Sequence, residues 1–198
     1  MRLKTIKIVV FLVLLFTSNL VNGQIVSAFN ARYQANQKGG IVFLSNVSVT
    51  CTTGTTCTTA KAEVPPTGSY SNGSFTMNYV DIDSDASTFM SSSDSLNLPN
   101  CSEILFAGLY WSGRIATTTT NYSARNRIKL KLNSGSYQTL AADNILDVPT
   151  ISGSSWSHPS YYCFKNITSI VSAGGIKGRV TIADLVTQTG STNLWGGW

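Results

Sequence analysis

Apolar and polar residues alternate in short runs along this chain, and helical periodicity is nearly absent. Phe29, Ala31 and Tyr33 alternate with Asn30 and Arg32, which predicts a first strand around residues 27–34. Lys38-Gly39-Gly40 reads as a turn into a second strand that begins at Ile41 to Leu44 and runs toward Val47 and Val49. Phe75, Met77 and Tyr79 alternate with Thr76, Asn78 and Val80, and that strand runs straight into Asp81, Asp83 and Asp85. Ile104 to Trp111 is apolar on both faces except at Gly108, as expected of a strand in the middle of a sandwich. Ile128, Leu130 and Leu132 alternate with Arg127, Lys129 and Lys131, a half-buried strand whose basic side is assigned to solvent, where it guards an edge.

Ser134-Gly135-Ser136 turns the chain back through Tyr137 to Ala141, and Val180 and Ile182 mark a last alternating strand. Tyr161 to Val171 accommodates a helical turn, with Asn166 or Thr168 as its cap and Gly174-Gly175 as its stop. Residues 51–74, with CTTGTTCTTA, Pro65-Pro66 and Ser71-Asn72-Gly73-Ser74, read as a long surface loop. The expected fold is all-β: an antiparallel β-sandwich, jelly-roll-like, in a single domain over residues 24–198. Leu194 to Trp198 looks like the approach to a further strand, so the sandwich is expected to lack closing strands at its C-terminal side and to expose a pairing edge there.

Arg2, Lys4 and Lys7 precede an apolar run from Ile8 to Phe16, the layout of a signal peptide. The run is too short to cross a bilayer, which takes roughly twenty residues. Cleavage is expected after Gly23, leaving Gln24 first. Three of the fourteen basic residues leave with that segment, and the remaining eleven against nine acidic ones give the mature chain a net charge near +2. The sequence pI of 9.1 therefore reflects the export signal, and there is no basic patch that calls for nucleic acid. The mature chain is expected to be secreted or surface-exposed and not to span a membrane.

Cys51, Cys57, Cys101 and Cys163 are an even set in an exported chain, which predicts disulfides. Of three possible pairings, Cys51 with Cys57 and Cys101 with Cys163 is favoured; the first would staple the 51–74 loop. Zinc ligation is disfavoured because neither pair has a two-residue spacing and His158, the single histidine, lies apart.

Asp81, Asp83 and Asp85 put three carboxylates close together, and a structural Ca²⁺ would relieve their repulsion. An EF-hand is excluded, since Ala86 stands at its glycine position and Ser92 at its bidentate glutamate. The competing reading is that the aspartates shape turns by accepting hydrogen bonds from nearby amides and hydroxyls. No cofactor is required. Catalysis is not expected: no G-x-S-x-G elbow is present, and Glu63 and Glu103, the two glutamates, have no recognisable context. Trp156, Tyr161 and Tyr162 are the best aromatic candidates for stacking on an extracellular glycan, in an alternative reading as a carbohydrate-binding module.

FNARYQANQKGGIVFLSN, YVDIDSDASTFMSSSDSLNLP and ILFAGLYWSG together resemble the N-terminal region of large secreted surface proteins of gliding Gram-negative bacteria. The resemblance spans most of residues 28–198. It implies type IX secretion and a non-catalytic role in adhesion or gliding motility, with a glycan or another surface protein as partner. It also marks Ser95, in Asp94-Ser95-Leu96, as a candidate O-glycosylation site. Two departures stand out. The family often has glycine where this chain has Ser84, and it continues past a segment like Gly196-Gly197-Trp198 into an apolar strand, so the chain reads as a fragment.

Overall fold

A computed structural model describes residues 30–52, 55–62, 70–150, 158–174, 177–191 and 194–198. Residues 1–23, the segment expected to be a signal peptide, lie outside them. The expected antiparallel, sandwich-like architecture is present. One four-stranded sheet has the order β10-β4-β8-β7, built from β4 (Gly108–Arg114), β7 (Asn144–Val148), β8 (Ser160–Asn166) and β10 (Gly196–Gly197). The other has the order β3-β9-β5-β6, built from β3 (Ser91–Asn97), β5 (Arg127–Leu132), β6 (Gln138–Ala141) and β9 (Lys177–Ala183). A small ribbon joins β1 (Val49–Cys51) to β2 (Met77–Tyr79).

The inward positions of both large sheets meet in one core: Leu109, Trp111, Tyr161 and Cys163 face Ile128, Leu130, Leu140, Val180 and Ile182. Trp111 is buried completely enough that its indole N–H needs a partner, and it donates to the Arg125 carbonyl at 3.0 Å. On the outer face of β4, Tyr110 is exposed and lies 4.9 Å from the Phe164 ring. The two apolar faces of this stretch are thus a core face and an aromatic outer pair. The strand itself begins at Gly108, not at Ile104.

Several expected elements change. Residues 30–34, the described part of the predicted first strand, are exposed and not extended into a sheet; Ile41 to Phe43 are likewise exposed and unpaired, and bridging begins only at Val47. The 51–74 loop contains a helix, Thr55–Ala62. Strand β3 is absent from the expectation because its sequence, SSSDSLN, is polar, yet Ser91 and Ser92 are fully buried. Small hydroxyl side chains fit under a covering layer where a larger residue would not. Strand β5 lies between β9 and β6, so its lysines guard no edge.

The C-terminal residues correct a further expectation. Gly196 and Gly197 pair with Gly113 and Ser112 of β4, and their other side is not an open edge. Ser48 N–H donates to the Gly196 carbonyl at 2.9 Å, and Asn46 and Trp198 exchange two backbone hydrogen bonds. A side chain at 196 would come within 2.4 Å of the Ser48 hydroxyl, and one at 197 within 2.8 Å of the Asn46 carbonyl. The two glycines permit this three-way approach of backbones.

The helix Thr168–Gly174 follows β8 directly. The Asn166 side-chain oxygen accepts from the Thr168 N–H at 3.0 Å and from its hydroxyl at 2.7 Å, the expected cap. Thr168 in turn accepts the Ala107 N–H at 2.9 Å, tying the helix start to the approach of β4.

Candidate functional site

Two polar constellations stand out, and the first is the aspartate turn between β2 and β3. Asp81 Oδ1 accepts the Ser84 N–H at 3.1 Å, and Asp85 Oδ1 accepts the Ser87 N–H at 2.9 Å. Ser84 adopts a left-handed backbone, φ 50°. The Ser91 hydroxyl lies 2.9 Å from Asp81 Oδ1 and 2.8 Å from Asp83 Oδ1, and donates its single proton to one or the other. Asp83 Oδ2 accepts from the Lys131 ammonium at 2.5 Å and from the Tyr137 hydroxyl at 2.7 Å. Lys129, on the same face of β5 as Lys131, pairs with Asp184 at 2.9 Å and reaches the Ser87 carbonyl at 2.5 Å.

These contacts set the electrostatics. Partial burial pushes the Asp83 carboxyl up, but hydrogen bonds from Lys131, Tyr137 and Ser91, with the lysine's charge, hold it well below the usual carboxylate range. Tyr137 moves the opposite way, raised by burial and by the Asp83 carboxylate that its proton serves. Asp85 is lowered, chiefly by the Ser87 N–H. Among the described residues no three His, Cys, Asp or Glu side chains converge on a point that a metal ion would occupy. Lys131 supplies a positive charge at Asp83, and the turn amides of Ser84 and Ser87 engage one oxygen each of Asp81 and Asp85.

The second constellation is a cavity of about 530 Å³ at one end of the β4-β7-β8 sheet, lined by Ala116, Thr117, Thr118, Tyr122, Asp147, Pro149, Thr150, His158 and Pro159. Its walls are fixed by backbone contacts. The buried Arg114 side chain donates through Nε to the His158 carbonyl at 3.2 Å, and Ile115 N–H donates to the Pro159 carbonyl at 3.2 Å. Ala116 N–H donates to the Gln188 side chain at 3.1 Å, holding the threonine turn in place.

Arg125 organises the acidic wall. It grips Asp147 with two parallel hydrogen bonds, Nε to Oδ1 at 2.9 Å and Nη2 to Oδ2 at 2.7 Å. Its guanidinium also lies 4.0 Å from the Tyr122 ring centre and donates to the Tyr122 carbonyl at 3.1 Å. The Asp147 hydrogen bonds raise the Arg125 pKa. Asp147 is half exposed at its tip, so the carboxylate keeps accepting capacity toward the cavity.

Of the aromatic candidates, Tyr161 and Tyr162 lie on opposite faces of β8. Tyr161 is buried, and its hydroxyl donates to the Val186 carbonyl at 2.5 Å, so its face is closed to a ligand. Tyr162 points outward and lies 6.1 Å from the Trp195 ring. Strand alternation forces neighbouring residues to opposite faces. Trp156 lies outside the described residues. Arg125 and Asp147 carry no local motif that would have joined them.

The cysteine expectation holds in one half. Cys51 and Cys57 are bonded, with Cα atoms 5.9 Å apart. Cys101 and Cys163 are both free, the first exposed in a turn and the second buried in β8. The favoured Cys101–Cys163 bridge fails because strand alternation turns the Cys163 sulfur inward, where it lies 3.7 Å from the Arg125 carbonyl. Ser95, the candidate glycosylation site, is exposed on the edge strand β3. Among the described residues no helix is long and apolar enough to cross a membrane. No family model, curated protein or solved structure matches this chain.

Proposed function

We propose that this chain is an exported, non-catalytic β-sandwich that works as a recognition module at a cell surface, as part of an adhesion- or gliding-associated protein. The signal-peptide layout and the resemblance to surface proteins of gliding bacteria support export. The observation that carries recognition is the cavity beside His158, whose walls are clamped to the sheet by Arg114, Ile115 and Arg125. Loops held this way on a rigid sandwich are where binding surfaces are usually built. The partner is an extracellular glycan or a surface protein, and exposed Ser95 is the position for a covalent glycan.

The test has two arms. Cells producing the full chain should release or display a product that begins at Gln24 and is labelled by antibody on intact cells. Fluorescent beads carrying the purified chain should adhere to surfaces of the producing bacterium. A product retained inside cells with residues 1–23 attached would defeat export. Turnover of general esterase or glycosidase substrates above a denatured control would defeat the non-catalytic reading.

A further inference from the structure

We infer that the cavity beside His158 binds an uncharged saccharide, with Asp147 accepting sugar hydroxyls and Tyr122, Pro149 and Pro159 flanking the C–H face. The inference rests on the recognition-module reading and names the ligand class of the same site. A sugar unit presents donors and acceptors around its rim and an apolar face. The cavity is lined by both kinds of residue: Thr117, Thr118, Thr150, His158 and Asp147, beside Tyr122 and two prolines. Its volume of about 530 Å³ lies within the usual range of ligand sites, roughly 300–1,000 Å³.

Charge decides against the neighbouring chemistries. Asp147 is held in a two-point grip by Arg125, so the pair cancels and the wall presents directed acceptor lone pairs with little net charge. An anionic ligand would meet the Asp147 carboxylate, whose partner Arg125 is already neutralised by it. A wholly apolar ligand would strip water from the polar lining without replacing those hydrogen bonds, which disfavours it. A metal would find one carboxylate and one imidazole, short of a ligand set. The grip also keeps the Asp147 oxygens in one orientation before a ligand arrives, so little ordering is lost on binding.

The experiment is a glycan array containing neutral and acidic oligosaccharides, probed with the labelled chain. Calorimetry with the best neutral glycan follows. Asp147→Asn should weaken that binding about tenfold, the value of one charge-assisted hydrogen bond. Thr118→Val, at an exposed position where folding is not at stake, should weaken it several-fold. Arg179→Gln, exposed on the other sheet, should leave it unchanged. Wild-type affinity in both cavity variants overturns the assignment, as does a preference for acidic glycans that vanishes with salt. Silence on the array while beads still adhere to cells overturns the saccharide inference alone; silence in both assays overturns the recognition reading with it.

Discussion

The Lys131 ammonium lies 2.5 Å from Asp83 Oδ2, and the Tyr137 hydroxyl donates to the same oxygen at 2.7 Å. Strand β5 thereby anchors the turn between β2 and β3. Because Asp83 titrates well below an unfolded aspartate's ordinary value near 3.9, its contribution is fully present above that value. It is lost as pH falls through the lower folded pKa. Asp83→Asn should lower stability at neutral pH by about 1 kcal/mol, a figure reduced for partial solvent screening. It should also flatten the acid limb of a stability profile measured by urea unfolding from pH 7 to pH 2. An unchanged acid limb would show that the ion pair adds nothing to the fold.

Calcium should have no effect on this turn. A ligand that binds only the native state raises its stability, so a resident Ca²⁺ site would shift the thermal midpoint. Lys131 and Tyr137 hold one Asp83 oxygen, and backbone amides hold one oxygen each of Asp81 and Asp85, so these donors already shape the turn. The expected result is the same melting temperature in millimolar Ca²⁺ and in chelator. A rise of several degrees in Ca²⁺ would restore the aspartates as a metal centre.

The thiols should separate into three kinds. Exposed Cys101 should react with a thiol reagent in the native protein. Buried Cys163, its pKa pushed up to about 12 mainly by desolvation, should react only after unfolding. Cys51 and Cys57 should appear only after reduction. Native, denatured, and denatured-plus-reduced samples should therefore titrate with one, two and four thiols. Reduction should also cost about 2 kcal/mol, the loop-closure value for so short a ring. The eight-residue Thr55–Ala62 helix is too short to persist without that tether.

What the sequence disclosed depended on whether a signal was local. Alternation located β5 and β9, and the Asn166 cap located the helix after β8, because each is written in a few adjacent residues. Strand β3 escaped because its buried positions are serines, which alternation scores as polar. The lysines of β5 were assigned to solvent because their partners, Asp83 and Asp184, lie 48 and 55 positions away. The cavity was hidden for the same reason: Arg125 and Asp147 meet through the fold, across 22 positions. Conversely, the aspartate ladder looked like chemistry because residues adjacent in sequence need not aim at one point in space.

Ser84 offers a test that joins sequence and geometry. Its φ of 50° is left-handed, a region that costs a residue with a side chain about 1–2 kcal/mol and costs glycine nothing. The Ser84 N–H donates to Asp81, so the turn requires this conformation and cannot relax out of it. Ser84→Gly should relieve the strain while adding about 0.4–1 kcal/mol of unfolded-state entropy, for a net gain of up to about 1 kcal/mol. Ser84→Val should lose more than Ser84→Gly gains, since branching at Cβ makes a left-handed backbone harder to reach. Urea unfolding of the three proteins should rank them Gly above Ser above Val; Ser84→Gly below wild type would mean that the left-handed turn carries no strain.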